Sequence, residues 1–217
     1  MYPQSRAEAV ALRPPFLAAN LGAGVRAALD GGERILREIE GILTGARPQS
    51  APKRVLTTVM FTDIVGSTTR VARVGDHRWR RILETHDLSV RSHVAAHGGR
   101  VLKSMGDGYL AAFARPACAI HCGRALHADA RALGLQVKAG IHTGECELIR
   151  GDLAGIAVHI GARVMAKASA GELLATSAVR DLVVGSGIEF AERGEHELRG
   201  VPGCWTLHAV SGGAQPS

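Results

Sequence analysis

The chain has 217 residues, enough for one sizeable core plus an appendage, with a formal net charge of +6 and only two Trp, two Tyr and four Phe. No apolar run reaches the ~20 residues of a membrane span, and the opening MYPQSRAEAV lacks the apolar centre of a signal peptide. The basic residues are spread along the chain with few aromatics to stack bases, which argues against a nucleic-acid partner; a cytoplasmic protein free of the membrane, able to take an anionic small molecule, is the expectation.

Residues 1–52 form the first segment. Ile35, Leu36, Ile39, Ile42 and Leu43 recur at helical spacing, the pattern stops at Gly45, and a linker with Pro48 and Pro52 follows. This amphipathic helix needs a partner surface, either the main domain or a dimerising or regulatory contact. The main domain is expected over residues 53–212, with 213–217 as a flexible tail.

From Lys53 onward strand and helix signals alternate. RVLTTVMF, rich in β-branched residues, predicts a buried strand. DHRWRRILETHDLSVRSHVAAHGG places Ile82, His86, Val90 and Val94 on one helical stripe, with Asp76 as N-cap and Gly98-Gly99 as stop. RVLKSM and YLAAFA flank a GDG turn as a hairpin. Residues 116–133 predict a helix, QVKAGIHTGE a strand and its exit, 156–169 a helix and ELLAT a strand. EFAERGEHELRG and CWTLHAV predict a closing hairpin. The order implies an α+β fold, a mostly antiparallel sheet with helices on one face and the GDG turn in mid-sheet. Cys118, Cys122, Cys146 and Cys204 sit in apolar stretches and are expected as buried thiols.

Two carboxylates stand out. Asp63 follows an apolar strand, where a charge needs water, a partner or a metal. The small residues Gly66, Ser67 and Thr68 after it can turn backbone amides toward a phosphate. Asp107 lies in the GDG turn. Each alone fits a turn or a helix cap. On one sheet rim, however, they can hold hard divalent cations, and two such ions can activate an attacking oxygen and neutralise a leaving one.

FTDIVGST, KSMGDGY and GIAVHIGARV occur in the order and approximate spacing of the class III nucleotidyl cyclases, which the chain resembles over residues about 54–210. The resemblance implies a ferredoxin-like class III cyclase fold, carried after an N-terminal helical segment. It also implies two Mg²⁺ or Mn²⁺ ions per active site, held by Asp63, Asp107 and the backbone carbonyl of Ile64. In the reaction, the ribose 3′-hydroxyl attacks the α-phosphorus and pyrophosphate leaves.

Lys103, four residues before Asp107, matches the purine-selecting lysine of that family. Counting back seven residues from His159 gives Asp152 as its partner. A lysine donor for adenine N1 and a carboxylate acceptor for the N6 amino group favour ATP over GTP. Arg163 matches the arginine that stabilises charge on the transferred phosphate, and Arg199 occupies roughly the place of a basic residue that contacts the triphosphate. His159 departs from the family pattern, standing where an asparagine positions the ribose; imidazole still donates a hydrogen bond, with a charge that varies near neutral pH. His86, His93, His97 and His142 are expected as packing or helix-surface residues.

Lys103 and Asp107 lie about 13 Å apart on an extended strand. The family's arrangement is a homodimer with shared active sites, in which Asp63 and Asp107 come from one protomer and Lys103, Asp152, His159 and Arg163 from the other. The leading expectation is an adenylyl cyclase. A catalytically weak nucleotide-binding regulatory module and a guanylyl cyclase are the alternatives. Residues 1–50 also resemble the linker that follows an α/β-hydrolase domain in some multidomain cyclases; no G-x-S-x-G elbow occurs, so no hydrolase activity is expected.

Overall fold

The computed structural model describes residues 53–149 and 152–211. The N-terminal amphipathic helix and the 213–217 tail lie outside them. Thirteen elements follow in chain order. They are β1 (Lys53–Ile64), α1 (Ser67–Val74), α2 (Asp76–Ala96), β2 (Gly99–Ser104), β3 (Tyr109–Phe113), α3 (Pro116–Ala132) and β4 (Val137–Ile149), then β5 (Asp152–Ala154), α4 (Ile156–Lys167), β6 (Leu173–Thr176), α5 (Ser177–Leu182), β7 (Phe190–Glu197) and β8 (Cys204–Val210). The sheet order is β2-β3-β1-β4-β6-β8-β7, with β5 on β4 and only the β4–β6 pair parallel.

The α+β class and mostly antiparallel sheet are as the sequence implies, but helices cover both faces. Val59, Met60 and Phe61 are all buried, which a β1 open to water on one side would not allow. Met60 packs with Val90 and Val94 of α2 and with Ile120 and Leu126 of α3. Val59 and Phe61 face the other way, toward Ala157 of α4. Two glycines let α4 lie close: a Cβ on Gly140 would sit 2.1 Å from the Met165 nitrogen, and one on Gly161 would sit 2.8 Å from Val59 Cγ2.

Other differences are local. The GDG turn joins β3 to β2, the edge strand, so it lies near one side of the sheet rather than in its middle. Gly75, not Asp76, is the N-cap of α2, and Asp76 takes the first helical position, where its charge still suits the helix dipole. His86, Val90 and Val94 are buried as expected, joined by Trp79. Cys122 and Cys146 are buried, whereas Cys118 is half-buried and Cys204, at the start of β8, is exposed.

Candidate active site

The site assembles at the end of β1. The β1–β3 register pairs Thr62 with Tyr109, which sets the GDG turn against the last rungs of β1. Gly108 makes that approach possible: a Cβ there would lie 2.7 Å from the Thr62 carbonyl oxygen and 3.6 Å from Asp63 Oδ1. Gly106 takes φ 83°, and the Met105 N–H closes the turn on the Gly108 carbonyl at 2.8 Å. Asp63 and Asp107 therefore share one rim. Behind the turn, Tyr109 stacks edge-on against buried His86 with centroids 5.9 Å apart. Burial depresses the His86 pKa, opposed by Asp87 and Asp107.

Asp63 lies within β1, opposite Lys138 of β4, and Lys138 Nζ meets its Oδ2 at 3.1 Å. Lys138 lies in none of the motifs that mark the other site residues. Its signal was a lone lysine among the apolar residues of QVKAGIH, a strand that begins where β1 ends.

Lys103 and Asp152 come together although 49 positions separate them in the chain, with Nζ to Oδ2 at 2.7 Å. A bulge between Val101 and Lys103 offsets the β2 pairing and sets Lys103 opposite Leu110. Asp152 pairs with Ile149 at the far end of β4, yet its neighbour Leu153 packs with Phe61 and Leu110, so the β4–β5 arm curls back over the α4 face. Asp152 Oδ1 also accepts the Leu153 N–H at 2.9 Å. The Lys103 hydrogen bond chiefly holds the Asp152 carboxyl below the usual carboxylate range; the Leu153 N–H and the ammonium charge add to this, while partial desolvation opposes it.

His159 and Arg163 lie one turn apart on the exposed side of α4. Arg163 Nε donates to the Arg199 carbonyl at 3.1 Å, joining α4 to the β7–β8 connection. This contact leaves both terminal guanidinium nitrogens of Arg163 available for a phosphate.

The donor chemistry fits hard divalent ions. Two carboxylates and the Ile64 carbonyl offer oxygen only. Among the described residues no group of three or more His, Cys, Asp or Glu stands close enough to hold a metal ion by itself. Lys138 occupies one face of Asp63 and would compete with such an ion.

The profile of the adenylate and guanylate cyclase catalytic domain matches residues 51–212, and the chain belongs to that family. It is a nucleotidyl cyclase domain of class III, a class that uses divalent metals. A putative adenylate cyclase 3 of Rhizobium meliloti is 29% identical over 167 residues, 69% of this chain and 27% of that protein. The serine/threonine-protein kinase pkn2 of Myxococcus xanthus is 33% identical over 130 residues, 56% of this chain and 16% of the kinase, so this chain spans well under half the length of both relatives. Among solved structures, the adenylyl cyclase CyaB from P. aeruginosa superposes with a TM-score of 0.70 at 20% identity, covering 75% of this chain and 97% of that one. The guanylyl cyclase Cya2 superposes with a TM-score of 0.69 at 19% identity, covering 76% and 96%. The fold is thus common to adenylyl and guanylyl cyclases. No helix among the described residues is long and apolar enough to cross a membrane.

Proposed function

We propose that the chain is an adenylyl cyclase that converts ATP to 3′,5′-cyclic AMP and pyrophosphate at sites shared by two copies. The observation that carries this reading is the Lys103–Asp152 pair at 2.7 Å. It presents an N–H donor beside a carboxylate acceptor, the polarity that adenine N1 and N6 require and guanine reverses.

Asp63, Asp107 and the Ile64 carbonyl would hold two Mg²⁺ or Mn²⁺ ions, which when bound would supply charge neutralisation at the α-phosphate and acidify the 3′-hydroxyl. The 3′-oxygen forms its bond to the α-phosphorus as the bond to pyrophosphate breaks, and the hydroxyl proton leaves to solvent. Arg163, steadied through Nε by the Arg199 carbonyl, directs its free nitrogens at the charge that builds on the transferred phosphate. His159 orients the ribose by a ring hydrogen bond, and Arg199 contacts the triphosphate. Most of the rate comes from positioning these groups.

Asp63 and Asp107 serve one site and Lys103, Asp152, His159 and Arg163 the other, in a two-fold homodimer. Exposed Met105 in the GDG turn, with exposed Ile149 and Ile156 beside Asp152 and His159, supports this arrangement by offering apolar surface for a second copy to cover. A cytoplasmic setting belongs to the same reading, since ATP is an intracellular substrate and the four cysteines are free.

The test is cyclic nucleotide formation by the purified chain with Mn²⁺ and equal ATP and GTP. Cyclic AMP should dominate, and Asp63→Ala should reduce it to background. Cyclic GMP as the main product would make this a guanylyl cyclase. Nucleotide binding without turnover at any metal or pH would favour a regulatory module, the reading that His159 at the asparagine position supports.

A further inference from the structure

A second groove lies on the sheet face opposite α4. It is bounded by α3, the turn before β6 and the β7–β8 edge, and has a volume of about 1230 Å³. Its lining is strongly basic: Arg124, Arg131 and Arg193 stand against one carboxylate, Glu172. That carboxylate is already engaged, accepting Arg193 Nε at 2.8 Å on one oxygen and the Ser169 N–H at 2.8 Å on the other.

Three of the lining side chains recur along α3 at positions 124, 127 and 131, which places them on one side of the helix. A terminal nitrogen of Arg124 donates to the Ser211 carbonyl, while its Nε is buried without a partner among the described residues. His127 is only 9% exposed, and its Nε2 is likewise buried and unpartnered. Burial, with the Arg131 charge adding, lowers the His127 pKa to about 4, so the ring is neutral at physiological pH. Arg131 is exposed in the last turn of the helix, with no acidic partner among the described residues. Leaving such groups unpaired is unfavourable, and a small turn of either side chain toward an anion in the groove would relieve it. Between these donors Ala128 and Gly171 keep the groove open.

We propose that this groove is a binding site for a phosphate-bearing small molecule, held by Arg124, Arg131 and His127 and distinct from the nucleotide site. Guanidinium forks match phosphate oxygens in geometry as well as charge, and a neutral imidazole in the Nε2–H tautomer adds a directional donor. The groove wall is also tied to the active-site rim. The Gly171 N–H donates to the Val137 carbonyl at 3.0 Å and the Ala139 N–H to the Glu172 carbonyl at 2.9 Å, on either side of Lys138. Lys138 in turn contacts Asp63.

The experiment is calorimetric titration of the full chain with inorganic phosphate and, separately, tripolyphosphate, in metal-free buffer without nucleotide. Metal and nucleotide are absent, so the outcome does not depend on cyclase activity. At least one probe should saturate at one site per chain. Arg124→Gln and Arg131→Gln should each weaken it by about tenfold or more, and Arg163→Ala should leave it unchanged. Arg131 is exposed, so its variant reports on binding even if Arg124→Gln disturbs the Ser211 contact and the fold. Absence of saturable binding to either probe would overturn the proposal. So would binding that Arg163→Ala removes and Arg131→Gln spares.

Discussion

Replacing Lys138 with methionine should tighten Mn²⁺ binding at Asp63. The methionine keeps most of the aliphatic stem and deletes the ammonium that lies 3.1 Å from Asp63 Oδ2. At that separation Coulomb's law gives about 1.3 kcal/mol at the dielectric constant of water and about 5 kcal/mol at an effective value of 20. Lys138 is 23% and Asp63 33% exposed, so water screens the pair and the lower figure applies. A divalent ion at Asp63 must both displace this ammonium and tolerate its charge nearby. Removing it should gain about 1 kcal/mol, or about fivefold in the Mn²⁺ dissociation constant. The assay is titration of free Mn²⁺ by electron paramagnetic resonance without nucleotide, with Asp63→Asn as the control that abolishes the gain. Unchanged or weaker Mn²⁺ binding in Lys138→Met would refute the view that lysine and metal compete for one carboxylate.

Three further outcomes follow from the same geometry. Gly108→Ala puts a methyl 2.7 Å from the Thr62 carbonyl and should push the GDG turn off β1. Cyclase activity should fall about 100-fold while the urea midpoint shows only a loss of about 1–3 kcal/mol; retained activity would show that the two aspartates need no fixed spacing. Lys103→Ala breaks an ion pair whose side chains are 50% and 45% exposed, so stability should change by no more than about 1 kcal/mol. The ATP-over-GTP preference, measured as a ratio of kcat/KM values, should collapse, and an unchanged ratio would remove Lys103 from specificity. Burial depresses both His127 and His142 to about 4, below the unfolded value of 6.5. Their neutral forms favour the fold fully above pH 6.5, and each is expected to cost about 1.4 kcal/mol per pH unit as pH falls from there toward 4. Denaturant midpoints between pH 7 and 4.5 should flatten in His142→Gln if this is right.

The order of strands and helices was legible because β-branched runs, helical stripes and glycine stops are local signals. The second covered face was not, because VMF in β1 signals burial without saying which element supplies it. That depends on α4 settling onto Gly140 of β4 and presenting its own Gly161 to Val59 of β1, contacts between distant parts of the chain. Lys138 was hidden for a similar reason: its meaning lies in the β1–β4 register, which pairs Asp63 with it across 75 residues. The six residues of α5 are too few to establish a period. Exposure of Cys204 follows from its place at the first residue of β8, where apolar composition persists after the cover ends. In contrast, Lys103 and Asp152 were picked out by the resemblance to class III cyclases, and the curl of the β4–β5 arm is the physical means by which two positions so far apart in the chain meet.

If Lys103 and Asp152 read the purine as proposed, their closed clasp shapes the choice. A nucleotide does not enter a site with two waiting groups; it meets two groups already content with one another. Only a base that offers each of them a better companion at the same moment can part them, and a base that suits one leaves the other stranded. Recognition would then carry a small threshold, of no more than about 1 kcal/mol for so exposed a pair, as well as a preference.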